Sequence, residues 1–449
     1  MNDYRQLATD VVAELKRQGA DACDVFVANT TDFSTEVRLG RIEKLEQSIS
    51  KGLGMRVFKG GAMALTYTTD FNDKSVKSIA AQALDIVKVS NPDEFNGLAP
   101  RESLGVYDGK LMLFDESIAS IPTERKIDMA REAEEIGMKA DKRVTNSNTA
   151  GWSDGTNQVT LATSDGFVGQ YRTTNAGLYV GLIAEEGGVK QTDSWYSFQR
   201  YANRLLSPKE VGLEAAKRVT SKLGARKVKS QTVPLVVDPT MAQRMIGSFF
   251  GAASGRAVYR KSSFLVGKLG EAIASPLVSI IDDATLADGP SCRPFDAEGV
   301  RSSRVPFIEK GVLKSYLCDS YSSRRLKMPL TGTTNRGYQG GPNVGASNLF
   351  LVAGDKDPKD IIKSVKSGLY LRTMSAQGFN PVTGDFSHGA TGHWIENGEI
   401  AYPVQEITIA GNVITAFKNI TAVGNDLKFR AGGVASPTLL ISEITVGGA

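Results

Sequence analysis

The chain has two histidines, His388 and His393, both in the segment Ser387-His388-Gly389-Ala390-Thr391-Gly392-His393-Trp394. Imidazoles are the commonest metal ligands and titrate near neutral pH, so side-chain chemistry is sought here first. Zinc usually takes at least three protein ligands, and two imidazoles spaced i, i+5 share an ion poorly. An ideal strand projects them to opposite faces, and an ideal helix sets them well apart. Gly389 and Gly392 disfavour a helix in any case. Only a loop or a π-bulge would converge them. No metal ligand and no catalytic residue is therefore assigned in this chain. The segment reads as a Gly-rich loop beside a strand containing Trp394 and Ile395. Loops on a rigid scaffold often carry binding function. Asp385, His388, His393 and Glu396 are thus the candidates for contacting a peptide or a protein partner, with a structural turn as the plainer alternative.

Other nucleophile systems find little support. Cys23, Cys292 and Cys318 lie far apart with no C-x-x-C pair, which argues against a disulfide framework or a structural zinc site. Cys318, in a stretch read as strand (Tyr316-Leu317-Cys318-Asp319), is expected to be a buried small hydrophobe. As a nucleophile it would need one of the two histidines. No G-x-S-x-G elbow occurs. Thr331 to Gly337 is polar and Gly-containing but is followed by no P-loop lysine, and reads as a surface loop. Arg324-Arg325 with Lys327, and Arg226-Lys227 with Lys229, are short basic runs that read as solvated surface. A net charge of +4 over 449 residues is mild, so nucleic-acid binding is not expected.

The elements that must position these residues follow from periodicity. With 41% hydrophobic and 23% charged residues the chain reads as a globular protein of about two to four domains. Met1-Asn2-Asp3-Tyr4-Arg5 leads into a charged amphipathic helix over 3–18 and not into an apolar signal core. No run of 18 apolar residues exists, so no membrane span is expected, and the cytoplasm is the expected location. Strands are expected at 24–28 and 34–39. Gly52 to Phe58, a Gly60-Gly61 turn and Ala62 to Thr68 read as a hairpin. Asn72 or Asp73 caps a helix carrying Val76, Ile79, Ala80, Ala83 and Ile86. A connector over 91–121 precedes a helix from Thr123 to Lys139. Short strands at 157–163, 166–172 and 177–184 and a helix over 207–223 follow. The pattern restarts at Val233 to Val237, with Asp238-Pro239 opening a helix. Later strands include 305–309 and 312–317 around Lys310-Gly311, then 400–409 and 439–446. These readings give an α+β chain: an N-terminal α/β unit at 1–90, a central α+β region at 91–228, and a turn-rich, mainly β C-terminal domain at 229–449.

Several segments together resemble the TldD/PmbA family. Gly52-Leu53-Gly54-Met55-Arg56-Val57 is similar to its G-x-G-x-R-V segment. Ser262-Ser263-Phe264-Leu265, Leu269-Gly270-Glu271, Ile280 to Asp283, Asp296-Ala297-Glu298-Gly299-Val300 and Ile308 to Leu313 follow in the family's order. So do Asp319-Ser320-Tyr321-Ser322-Ser323-Arg324, Asn348 to Leu351, Gly378 to Ser387 and Ile407 to Asn412. The last segments resemble the PmbA/TldE branch. The family implies a peptidase in which a TldD-like subunit carries His-Glu-x-x-x-His and a distant Cys for zinc, paired with a TldE-like subunit. By register that motif would fall on Ile246-Gly247-Ser248-Phe249-Phe250-Gly251, where no usual ligand or carboxylate base stands. Lys428 to Pro437 holds no Cys.

The resemblance thus implies a subunit without a cofactor of its own, zinc being expected only in a TldD-like partner. Its expected role is peptide binding or gating, with peptides or unfolded segments added as strands to a sheet edge. A homodimer is conceivable when the chain is alone. The rival readings are a regulatory protein of the topoisomerase-modulator type and a self-sufficient hydrolase that uses no metal.

Overall fold

The computed structural model describes residues 3–430 and 432–448. The expectations touching Met1, Asn2, Ala431 and Ala449 lie outside the described residues. Helix α1 (Arg5–Arg17) buries Ala8, Val11, Val12 and Leu15, the apolar stripe of its heptad-like pattern. Strands β1 (Ala22–Arg38) and β2 (Arg41–Lys59) form a long hairpin closed by Leu39 and Gly40, both at positive φ. Strand β3 (Ala62–Thr68) returns through Gly60-Gly61, and α2 (Asp73–Val89) is capped by the Asn72 side chain. After an irregular connector come α3 (Thr123–Lys139), β4 (Val144–Thr163), β5 (Val168–Glu186), β6 (Val189–Gln199) and α4 (Pro208–Thr220).

These strands make one antiparallel sheet in the order β3-β2-β1-β4-β5-β6. The units expected at 1–90 and 91–228 therefore contribute to a single sheet. One face carries the helices. Val25 and Val27 of β1 and Leu53, Met55 and Val57 of β2 pack under α1 and α2. Ala150, Trp152, Leu178 and Leu182 of β4 and β5 pack under α3 and α4. The separate short strands expected at 24–28 and 34–39 are one strand, and those at 157–163, 166–172 and 177–184 belong to β4 and β5. Polar mid-strand residues such as Thr30 and Asn157 interrupt the apolar alternation, but backbone pairing continues through them.

The C-terminal part begins with β7 (Gln231–Val237) and α5 (Pro239–Ala253), where Asp238 caps the helix and Pro239 opens it. Short elements follow: α6 (Gly255–Tyr259), β8 (Ile280–Asp283), β9 (Arg304–Glu309), β10 (Val312–Leu313), α7 (Ser320–Leu326), β11 (Thr334–Asn335), β12 (Asn343–Val344), β13 (Leu349–Leu351) and α8 (Pro358–Lys363). Then come β14 (Ser367–Met374), β15 (Asp385–Glu396), β16 (Glu399–Asn412), α9 (Val413–Lys418), β17 (Ile420–Val423), β18 (Val434–Ala435) and β19 (Leu439–Gly447). Strands β16, β15, β14, β7 and β19 pair in that order, and β16 pairs again with β19, so five strands close into a ring. Its core includes Leu235, Leu369, Trp394 and Ile409, with Ile246, Phe249 and Phe250 of α5 packed against them.

Candidate functional site

The segment read as a Gly-rich loop is strand β15, paired on both sides with β14 and β16. Two neighbours supply every backbone bond a strand needs, and that outweighs the poor strand propensity of Gly389 and Gly392. Its four candidate residues do not converge. Asp385 and Glu396 are exposed at opposite ends of the strand. Asp385 accepts from Asn412 Nδ2 at 2.9 Å, and this bond holds its carboxyl below the usual range. His388 is buried toward α5, its Nδ1 2.7 Å from the Gln377 carbonyl and its ring stacked on Phe386. His393 faces the other way, with Nε2 2.9 Å from the Ser221 carbonyl just past α4. Burial depresses its pKa, and nearby Arg372 and Lys222 add to the effect. Its imidazole joins the ring to the N-terminal part; it is not a free ligand.

The residues that do converge come from the quoted motifs. On β2, Gly52, Gly54 and Arg56 alternate onto the face away from α1 and α2. A Cβ at Gly54 would lie 2.0 Å from the Tyr338 carbonyl oxygen, and one at Gly52 2.3 Å from the Tyr338 ring. The glycines are there because a C-terminal segment lies directly on the strand. Arg56 then reaches two carboxylates: its Nη2 is 2.6 Å from Asp24 Oδ2 and its Nη1 3.2 Å from Glu298 Oε1. Glu298 accepts from the Ser320 backbone N–H at 2.7 Å, at the start of α7. Asp24 Oδ1 takes Arg336 Nη1 at 2.8 Å, and the Arg336 guanidinium lies 4.7 Å from the Phe26 ring centre. All four charged side chains are buried. Burial alone would raise the Asp24 pKa; the guanidiniums of Arg336 and Arg56 overcome it and hold the carboxyl below its ordinary value.

Two surface readings are corrected here. Thr331 to Gly337 is no surface loop: Thr331, Thr333 and Thr334 are buried, and Arg336 ends in the charge cluster. Arg324 is not simply solvated either, since it donates to the carbonyls of Phe95, Gly97 and Leu98 in the connector. Asp24 and Arg336 were missed as site residues. The available signal was a carboxylate amid apolar neighbours in Cys23-Asp24-Val25. Cys318 is buried as expected, though outside any named strand, and burial pushes its thiol up to about 11.

Beside the cluster lies a cleft of about 370 Å³ lined by Arg56, Met63, Leu65, Arg256, Arg260 and Glu298, among others. Its wall includes β3, which ends the sheet and has no strand on its outer side among the described residues. An apolar strand edge and two exposed guanidiniums suit an extended chain segment that carries carboxylates. The positions matched to the family's metal motif lie on α5. Ile246, Phe249 and Phe250 point into the core, and Gly247 and Gly251 carry no side chain. Among the described residues no group of three or more His, Cys, Asp or Glu is placed to hold a metal ion. No helix among them is long and apolar enough to cross a membrane.

A curled helix-backed sheet, held by buried charges to the C-terminal segments that carry Glu298 and Arg336, together with a closed β ring defines the class: an α+β protein. PmbA/TldA metallopeptidase domain 1 matches residues 23–87, the central domain 116–223 and the C-terminal domain 230–448. The metalloprotease PmbA of Escherichia coli O157:H7 is 33% identical over 442 residues, 98% of this chain and 95% of that protein. A PmbA homolog of Haemophilus influenzae is 32% identical over 446 residues, 99% and 96% of the two chains. The chain belongs to the PmbA/TldD metallopeptidase family. A crystal structure from Bacteroides thetaiotaomicron, of a candidate modulator of DNA gyrase, matches with TM-score 0.92 at 29% identity over the whole of both chains. TldE of Thermococcus kodakarensis matches with TM-score 0.88 at 21% identity, over 98% of this chain and 99% of that one, a likeness of fold.

Proposed function

We propose that this chain is the metal-free subunit of a peptidase, holding or gating peptide for hydrolysis by a metal-bearing TldD-like partner. The observation that carries the reading is α5. Where the family's catalytic branch has two imidazoles and a carboxylate, this helix presents core hydrophobes and two bare glycines. Amide hydrolysis at neutral pH needs an activated nucleophile and stabilisation of the developing oxyanion. A zinc-bound water in the partner would meet both needs. This chain's part would be recognition: main-chain bonding along the outer edge of β3, with Arg256 and Arg260 meeting carboxylates of the bound segment. The test is a peptidase assay of this chain, of a TldD-like subunit and of their mixture, with and without chelator. Cleavage by the mixture alone, abolished by chelator, supports the reading. Chelator-insensitive cleavage by this chain alone overturns it in favour of a self-sufficient hydrolase.

A further inference from the structure

The seam between the N-terminal sheet and the ring holds a second cavity, of about 170 Å³. Thr192 of β6 and Lys222, just past α4, line it from the sheet side; Arg372 of β14 and Thr391 and His393 of β15 line it from the ring side. Among the described residues that line it there is no carboxylate. It is smaller than the roughly 300–1,000 Å³ of sites for drug-sized ligands, so it suits water or a small ion. The His393 side chain is 8% exposed. Its Nε2 is committed to the Ser221 carbonyl at 2.9 Å, while its Nδ1 is buried and has no hydrogen-bond partner among the described residues. A buried polar atom left unpaired is costly. Because Nε2 faces a carbonyl it carries the proton, so Nδ1 is an acceptor that needs a donor. The field around it is positive: burial depresses the His393 pKa, and Arg372 and Lys222 depress it further. Both cations have carboxylate partners, but these do not line the cavity. Lys222 Nζ is 2.8 Å from Asp193 Oδ2, and Arg372 Nη1 is 3.4 Å from Asp238 Oδ2. Asp193 is shared with Arg218, whose Nε lies 3.9 Å away. A guanidinium has five N–H donors and an ammonium three, so both cations can serve a further acceptor.

We propose that this cavity binds inorganic phosphate, with Arg372, Lys222 and a threonine hydroxyl donating to its charged oxygens and its own O–H donating to His393 Nδ1. Thr391 Oγ1 lies 2.6 Å from Thr373 Oγ1, so one of these two hydroxyls keeps its proton for another acceptor. Cationic donors combined with one obligatory acceptor make the site selective. Sulfate has the same shape but carries no proton at pH 7. A carboxylate also arrives without one. A phosphomonoester, with its second pKa at about 6, is mostly fully ionised at pH 7. Inorganic phosphate keeps at least one O–H there, and can meet the donors and the acceptor together. Held between Lys222 and β14 and β15, the ion would tie the sheet to the ring beside the bond from His393 to Ser221.

The proposal does not depend on the peptidase reading and is tested on the full chain alone. The chain has two histidines, so its imidazole NMR spectrum holds two sets of signals, and the set lost in His388→Gln or in His393→Gln assigns them. Inorganic phosphate titrated at pH 7 and constant ionic strength should shift the His393 signals saturably and leave those of His388 in place. Sulfate, acetate and methyl phosphate should each need about ten times the concentration or more, as expected for one lost hydrogen bond to a charged group. Lys222→Met should weaken phosphate binding about tenfold through the lost charge-assisted bond. Circular dichroism identical to the parent would show that this variant folds; if it does not, the ion selectivity of the parent still decides. Sulfate held as tightly as phosphate would overturn the proposal, because an acceptor at Nδ1 could not then be setting the choice. So would a shift at His388 instead of His393, or no saturable shift up to tens of millimolar, which would leave a cavity that holds only water.

Discussion

Arg56 Nη2 lies 2.6 Å from Asp24 Oδ2, and both side chains are shielded from water. The pair joins two strands of the N-terminal sheet, yet each member also reaches into the C-terminal part: Arg56 to Glu298, and Asp24 to Arg336. Two carboxylates and two guanidiniums thus cancel in a space that would tolerate none of them alone. Such a cluster contributes little net stability over well-packed apolar groups, but removing one member leaves a buried charge without its counterpart. It fixes how the sheet meets the C-terminal segments that carry Glu298 and Arg336, and Arg56 and Glu298 also line the cleft beside it.

Asp24→Asn should therefore destabilise the fold by about 3–5 kcal/mol at pH 7. It should also change the pH profile. The folded-state pKa of Asp24 is below its ordinary 3.8, with the arginines outweighing burial. Its contribution is complete above that ordinary value and is lost as pH falls through the folded value. Urea unfolding from pH 7 down to pH 3 should show a parent that loses stability at the acid end and a variant that loses less. Parallel pH profiles would show that the cluster does not rest on this carboxylate.

His393 gives a second pH signature of the same sign. Its pKa is depressed by burial, so the folded state holds it neutral, with the Nε2 proton donated to the Ser221 carbonyl. That contribution is present above the ordinary 6.5 and is lost as pH falls below it. His393→Phe should cost about 1 kcal/mol through the lost bond and should flatten the stability profile between pH 7.5 and 5.5. An unaltered profile in thermal melts would assign the slope elsewhere.

Much of the architecture was legible because it rests on local rules. Helix α3 has the expected bounds, α2 is capped by Asn72, one of the two expected caps, and the Lys310-Gly311 turn joins two strands as expected, although the second ends at Leu313 and not at Leu317. The site was legible only in part, because it is made by contacts distant in sequence. Gly52, Gly54, Arg56, Glu298 and Ser320 were visible within motifs, but nothing in those motifs says that they meet. His388 and His393 stood out by rarity, and their spacing placed them on opposite faces once a strand is granted. What local propensity could not supply was the strand itself, since Gly389 and Gly392 are held in place by β14 and β16.

The cysteines offer a probe of integrity. All three are buried, and burial pushes Cys23 up to about 12 and Cys318 up to about 11. The thiolate is the reactive species. Native protein at pH 8 should thus react very slowly with an aromatic disulfide reagent, while the urea-unfolded chain should release three equivalents. Prompt reaction of one thiol in the native state would reveal local opening around that residue.

The glycines of α5 separate what the fold wants from what the proposed function wants. Gly247 and Gly251 have ordinary helical backbone, and a Cβ at either would meet nothing within 4 Å. On folding grounds alone each is a defect, because alanine in a helix interior is better by about 1 kcal/mol. Gly247→Ala should therefore raise stability by up to that amount, and Gly251→Ala, nearer the helix end, by less. Larger residues test the other side. Gly247→Leu with Gly251→Leu should leave the chain folded and able to join a TldD-like subunit, since nothing in the chain itself occupies that space. If the bare face borders the peptide path of the assembled peptidase, cleavage by the mixture should fall at least several-fold while the partner keeps its metal. Unfolding curves, co-purification and a peptidase assay of the mixture together make the measurement. A double-leucine variant that folds, pairs and supports full cleavage would remove α5 from the peptide path and leave its glycines without a functional account.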